Sequence, residues 1–149
     1  MSPVLGQLIN LLGATLVGLK DSAGDLAYAR AVVAAVPDFD VFPSSEAALG
    51  GATADGFAGC ISATVNLTAP FAQSAWAVQG TSAGAAAVRK AADLRAILSA
   101  HPLIAAVKAA LASRYADPAW ARVALPLQPL AAEPAERLRE ALGRRAAEL

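Results

Sequence analysis

The chain has 149 residues, of which 56 % are hydrophobic and 16 % charged, a balance that excludes a disordered chain and suits one domain with a buried core. Lysine and arginine total 12 and aspartate and glutamate total 12, so the formal net charge is zero. No broad field therefore marks nucleic acid or an anionic membrane as a partner.

Residues 5–12 read as the tail of a helix stopped by Gly13. The apolar run Ala14-Thr15-Leu16-Val17-Gly18-Leu19 follows, and its residues 15–19 are expected as a strand buried on both faces. Lys20 ends that run and opens the polar turn Asp21-Ser22-Ala23-Gly24-Asp25. Asp25 then caps a helix to about residue 36, with Leu26, Ala29, Val33 and Val36 at helical spacing. Residues 39–42 form a second expected strand. Pro43-Ser44-Ser45-Glu46 is a loop and helix start, with Ser44 or Ser45 as cap and Glu46 in the first turn. The segment Gly56-Phe57-Ala58-Gly59-Cys60-Ile61 reads as a third short strand, and strands spaced by helices in this way imply parallel βαβ pairing.

The second half is helical by pattern. Residues 70–78, 83–99 and 102–114 are three expected helices, rich in alanine with leucine, isoleucine and valine on one face. Residues 117–134 carry four prolines and are expected as an extended connection. A last amphipathic helix spans about 134–147, where Arg137, Arg139, Arg144 and Arg145 alternate with Glu136, Glu140 and Glu148 as a solvated face.

Several chemistries find no support in the sequence. No stretch is apolar for long enough to span a bilayer, and Met1-Ser2-Pro3-Val4-Leu5-Gly6 lacks the basic leader of a secretion signal. The single cysteine, Cys60, has no internal partner, and the composition suits the cytoplasm. Cys60 and the only histidine, His101, are far apart without ligand spacing, so neither a metal nor a cofactor is expected. His101 precedes Pro102 at a helix entry, a structural position.

Lys20 carries the strongest chemical signal. A lysine at the carboxyl end of a buried parallel strand sits where α/β barrels place their chemistry. Partial desolvation there favours the neutral amine, a nucleophile toward carbonyls. The alternative is a strand-end lysine that snorkels into solvent. Asp21 and Asp25 read as a turn residue and a helix cap.

Four segments in order carry a resemblance. Val17-Gly18-Leu19-Lys20-Asp21-Ser22-Ala23-Gly24-Asp25, Phe42-Pro43-Ser44-Ser45-Glu46, Ala58-Gly59-Cys60-Ile61-Ser62-Ala63-Thr64-Val65-Asn66, and His101-Pro102-Leu103-Ile104 with Asp117-Pro118-Ala119-Trp120 together resemble the dihydrodipicolinate synthase and N-acetylneuraminate lyase family of Schiff-base aldolases. The resemblance implies an α/β chain: roughly the last three strands of a (β/α)8 TIM barrel over residues 1–80, then a C-terminal helical region over 81–149. It implies Lys20 as the Schiff-base residue toward pyruvate or another 2-oxo acid. It also implies Ile61 as a substrate-binding backbone carbonyl, and Ser44 as a pocket wall near the substrate tail. The family usually has glycine where Ser44 stands, so the serine narrows that pocket.

The family's Thr-Thr carboxylate clamp and catalytic tyrosine have no counterpart in this sequence, since Tyr28 and Tyr115 fall elsewhere. The chain thus resembles the C-terminal half of an aldolase. Two expectations follow: a carbon–carbon lyase acting through Lys20, or a non-catalytic half barrel that self-associates or complements a separate N-terminal half. A homo-oligomer or a complementing N-terminal half is expected as partner, because three strands cannot close a barrel.

Overall fold

The computed structural model describes residues 2–148, with side chains described to residue 145. Helix α1 (Pro3–Leu12) starts with proline in its first turn, where the missing N–H costs nothing, and ends at Gly13. Strand β1 (Gly18–Asp21) and strand β2 (Asp40–Pro43) are joined by helix α2 (Leu26–Ala35), a βαβ unit with parallel pairing. The register is Gly18↔Asp40, Leu19↔Val41, Lys20↔Phe42 and Asp21↔Pro43. Gly18 is required by this approach, because a Cβ there would collide with the Asp40 carbonyl.

The first strand begins three residues later, and ends two residues later, than the pattern 15–19 predicts. Gly13–Thr15 continues from α1 as a 3-10 turn, closed by the Leu16 N–H on the Gly13 carbonyl at 3.1 Å. The first bond to β2 comes only at Val17, whose carbonyl accepts from the Asp40 N–H at 2.9 Å. Lys20 is therefore the third residue of a four-residue strand. The expectation of burial on both faces also fails. Leu19 and Val41 pack with Leu5, Ala29 and Val32 on the helix side, whereas Lys20 on the opposite face is exposed. On that face Phe42, the register partner of Lys20, is half-buried, with its ring beside Gly59.

The expected third strand over 56–61 is not a regular one. Its chain runs beside β2, with the Ala58 N–H on the Val41 carbonyl and the Ile61 N–H on the Pro43 carbonyl, both at 3.1 Å. Three residue steps on this segment thus match two on β2, so one extra residue is accommodated, as in a bulge. Gly59 absorbs it with φ of 152°, a conformation that side chains disfavour.

Between β2 and this segment lie a 3-10 helix (Glu46–Gly51) and the short helix α3 (Ala52–Asp55). Arg30 of α2 grips Asp55 of α3 with a two-pronged ion pair at 2.8 and 2.9 Å. Helices α4 (Val65–Ala77), α5 (Ser82–Ser99) and α6 (Leu103–Arg114) follow, then α7 (Ala132–Glu148). Helix α4 begins five residues before the predicted start at Pro70. That proline lies inside the helix but is exposed, as is Asn66, whose carbonyl it leaves without an in-helix partner, so water can satisfy the freed group. Within the proline-rich 117–134 connection, a 3-10 turn (Pro118–Ala121) forms where the Asp117 carboxylate accepts the Ala119 N–H at 2.8 Å.

Three apolar clusters hold these layers. One surrounds Val41 and Val32, and one joins Leu98, Val107, Leu111 and Leu138 of α5, α6 and α7. The third packs Leu49 against Ala72, Ala75 and Ala87, with Cys60 and Val88 beside them, so α4 and α5 are bound to the end of the sheet. On α7, Arg137 pairs with Glu133, Arg139 with Glu136, Arg144 with Glu140, and Arg145 with Asp93 of α5. No single helix among the described residues is long and apolar enough to cross a membrane.

Candidate active site

The carboxyl ends of β1, β2 and the 57–61 segment lie side by side, and each supplies one of the residues singled out in the sequence. Alternation along β1 sends Leu19 and Asp21 to the helix side and Lys20 to the open side. Asp21 is 7 % exposed, and its Oδ1 accepts the Ala23 N–H at 2.9 Å, which shapes the turn after the lysine. Asp25 caps α2 by accepting the N–H groups of Ala27 and Tyr28. Lys20 thus stands on a strand whose exit is fixed, with its own side chain exposed.

Ser44 follows Pro43, the partner of Asp21 in the register. It is half-buried and lines a cavity of about 140 Å³ with Asp21, Gly24, Leu26, Ser45 and Ala48. Ser45 is the residue that caps the following 3-10 helix, accepting the Ala47 N–H at 3.3 Å. Ile61 flanks β2 on the side away from β1 and is 47 % exposed. Lys20 and Ile61 are therefore two strand spacings apart across β2, about 10 Å between backbones. The cavity holds Ser44 but neither Lys20 nor Ile61, so the three residues share one end of the sheet without sharing one enclosed pocket.

Behind this end lies a buried polar cluster that the sequence reading missed. Glu46 is 1 % exposed. Its Oε1 accepts from the Thr64 and Thr68 hydroxyls, each at 2.6 Å, and its Oε2 from the Ser62 hydroxyl at 3.1 Å. Arg95 of α5 reaches in from the far side. Its Nη1 donates to Ser62 Oγ at 2.9 Å and Thr64 Oγ1 at 3.0 Å, and lies 3.4 Å from Glu46 Oε2. Burial alone would push the Glu46 carboxyl up. The hydrogen bonds donated by Thr64, Thr68, its own backbone and Ser62 outweigh burial and hold it below the ordinary value.

In sequence, Glu46 is indistinguishable from a solvated acid in a first helical turn. The available signal was Ser62, Thr64 and Thr68, three hydroxyls clustered around the start of α4. Neighbouring Cys60 is half-buried, and its thiol is pushed up to about 11 by burial and by the charge of Glu46, with Arg95 opposing. No group of three or more histidine, cysteine, aspartate or glutamate side chains among the described residues could hold a metal ion.

The fold has close counterparts among solved structures. Dihydrodipicolinate synthase from Agrobacterium tumefaciens superposes with a TM-score of 0.76 at 23 % identity, over 95 % of this chain and 47 % of that one. N-acetylneuraminate lyase from Fusobacterium nucleatum gives 0.75 at 22 %, over 97 % and 50 %. A prophage protein of the dihydrodipicolinic acid synthase family from E. coli, in complex with pyruvate, gives 0.78 at 20 %, over 97 % and 51 %. At these identities the likeness is one of fold, and this chain spans about half the length of each. Among curated proteins none matches the chain. The sequence model of the dihydrodipicolinate synthetase family matches residues 4–145, nearly the full length and all three segments at the sheet end, and the chain belongs to that family.

Proposed function

We propose that this chain carries the Schiff-base portion of a 2-oxo-acid lyase, as the C-terminal part of a (β/α)8 barrel in the cytoplasm, with Lys20 as the nucleophile. The observation that carries the reading is the placement of Lys20 on a parallel strand, at the sheet end where Ser44 and Ile61 also lie, in a chain of this family. The neutral amine of Lys20 attacks the keto carbon of pyruvate or a related 2-oxo acid, and loss of water leaves a cationic imine. The imine nitrogen withdraws electrons from the adjacent carbon, so loss of a proton or cleavage of an aldol bond there gives an enamine. No metal or cofactor is needed for these steps. Ile61 offers its carbonyl beside the bound acid, and Ser44 bounds the substrate tail.

Lys20 is exposed in this chain, and the family's tyrosine and threonine pair are absent from the sequence. A positioned proton relay is worth on the order of 10²–10⁴ in rate, and the reading assigns to this chain the imine-forming step. Borohydride reduction in the presence of pyruvate tests it, by mass spectrometry of the trapped adduct.

A second reading is favoured by a specific surface. The exposed large apolar side chains include Val4, Leu8, Leu11 and Leu12 of α1, with Leu11 80 % exposed, and Val17 just before β1. Such a face and edge suit a half barrel that pairs with a second copy or with a separate N-terminal half. Light scattering tests this reading, and a monomer across the micromolar range would exclude self-pairing.

A further inference from the structure

We propose that Glu46 and Arg95 are positioning residues for the Lys20 site, acting through the 62–64 turn on the backbone of Ile61; this inference rests on the Lys20 reading above. Ile61 is exposed, and its carbonyl accepts no hydrogen bond from the described residues. Its direction is therefore set only by what pins its neighbours. On one side its own N–H is held by the Pro43 carbonyl at 3.1 Å. On the other, Ser62 is 7 % exposed and Thr64 fully buried, and both hydroxyls are clamped between Glu46 and Arg95.

The clamp draws on three separate parts of the chain: the 3-10 helix after Ser44, the turn after Ile61, and α5. Apolar residues of similar volume often replace such an ionic cluster without loss of stability. They do not reproduce its directionality, because carboxylate, guanidinium and two hydroxyls accept one relative arrangement. Glu46 follows Ser44 by two residues, so the same clamp also fixes the other wall of the site. Through Arg95, α5 belongs to the site although it contributes nothing that touches substrate.

The test measures Ile61 amide hydrogen exchange and the pyruvate concentration that half-saturates the borohydride-trapped Lys20 adduct, both on the full chain. Variants Arg95→Met and Thr64→Val are compared with Val107→Ala, which weakens the α6 core away from the clamp. The expected result is about tenfold faster Ile61 exchange and about tenfold higher half-saturation in the first two variants, with neither change in the third. Should Arg95→Met fail to fold, Thr64→Val carries the comparison alone. Unchanged Ile61 exchange, an equal rise in all variants, or faster exchange with unchanged half-saturation overturns the proposal. A wild-type chain that traps no adduct while Ile61 exchange still responds removes the Lys20 reading and this proposal together. An adduct without the exchange response removes this proposal alone.

Discussion

The carboxylate of Glu46 and the guanidinium of Arg95, 49 residues apart in sequence, meet 3.4 Å apart in the interior and share the hydroxyls of Ser62 and Thr64. The pair ties the end of the sheet to the helical half. Glu46 is almost fully buried and Arg95 is 28 % exposed, so replacing Arg95 by methionine leaves a buried carboxylate held by hydroxyls and its own backbone, without a counter-charge. Arg95→Met is expected to lower unfolding stability by about 1–3 kcal/mol, read from the urea midpoint at pH 7.

The same carboxylate gives stability a defined dependence on acid. Its pKa in the folded chain lies below the ordinary 4.5. A depressed carboxyl contributes stability that is fully present above its unfolded value and is lost as pH falls through the folded one. Wild-type stability should therefore decline from about pH 4.5 downward. Glu46→Gln should be less stable at neutral pH, and the gap should close as the pH is lowered. Urea titrations at pH 7, 5 and 3.5 measure it, and a gap independent of pH would exclude an ionised Glu46.

Much of this was legible in the sequence, and the exceptions have physical causes. Helix ends at Gly13 and Asp25 were readable because capping chemistry is local, and Ser45 is the cap of the two serines offered, whereas α7 starts at Ala132, two residues before Pro134. The strand register was not, since Gly13–Thr15 coils as a 3-10 turn that only the packing of α1 decides. The 57–61 segment is apolar enough for a strand, and the bulge at Gly59 is a property of its pairing with β2. Glu46 stands in the first turn as expected, but its burial was not readable for a like reason: its partners Thr68 and Arg95 lie in other elements. Lys20, Ser44 and Ile61 could be singled out because they sit in short contiguous motifs, and the fold brings the three to one end of the sheet.

Gly18→Ala tests the strand pairing directly. The added methyl group would meet the Asp40 backbone, which cannot swing aside as a side chain end could. An overpacking cost of about 1–3 kcal/mol is expected, measurable as a drop in Tm. A change within experimental error would place β1 and β2 farther apart than described.

Cys60 should resist alkylation. With its thiol pushed up to about 11, the nucleophilic thiolate is scarce at pH 8. Labelling by iodoacetamide should be at least about 100-fold slower in the folded chain than in urea. Equal rates would show that the neighbourhood of Glu46 is open to solvent.

The most direct measurement of the central claim is borohydride trapping with pyruvate, followed by mass spectrometry of wild type and Lys20→Ala. Lys20 is exposed, so its removal should change stability by no more than about 0.5 kcal/mol, and loss of the adduct would report chemistry rather than unfolding. The account predicts one reduced pyruvyl adduct, mapped to the peptide containing Lys20 and absent from the folded variant. A folded wild-type chain with no adduct, or an adduct that persists in Lys20→Ala, would contradict it.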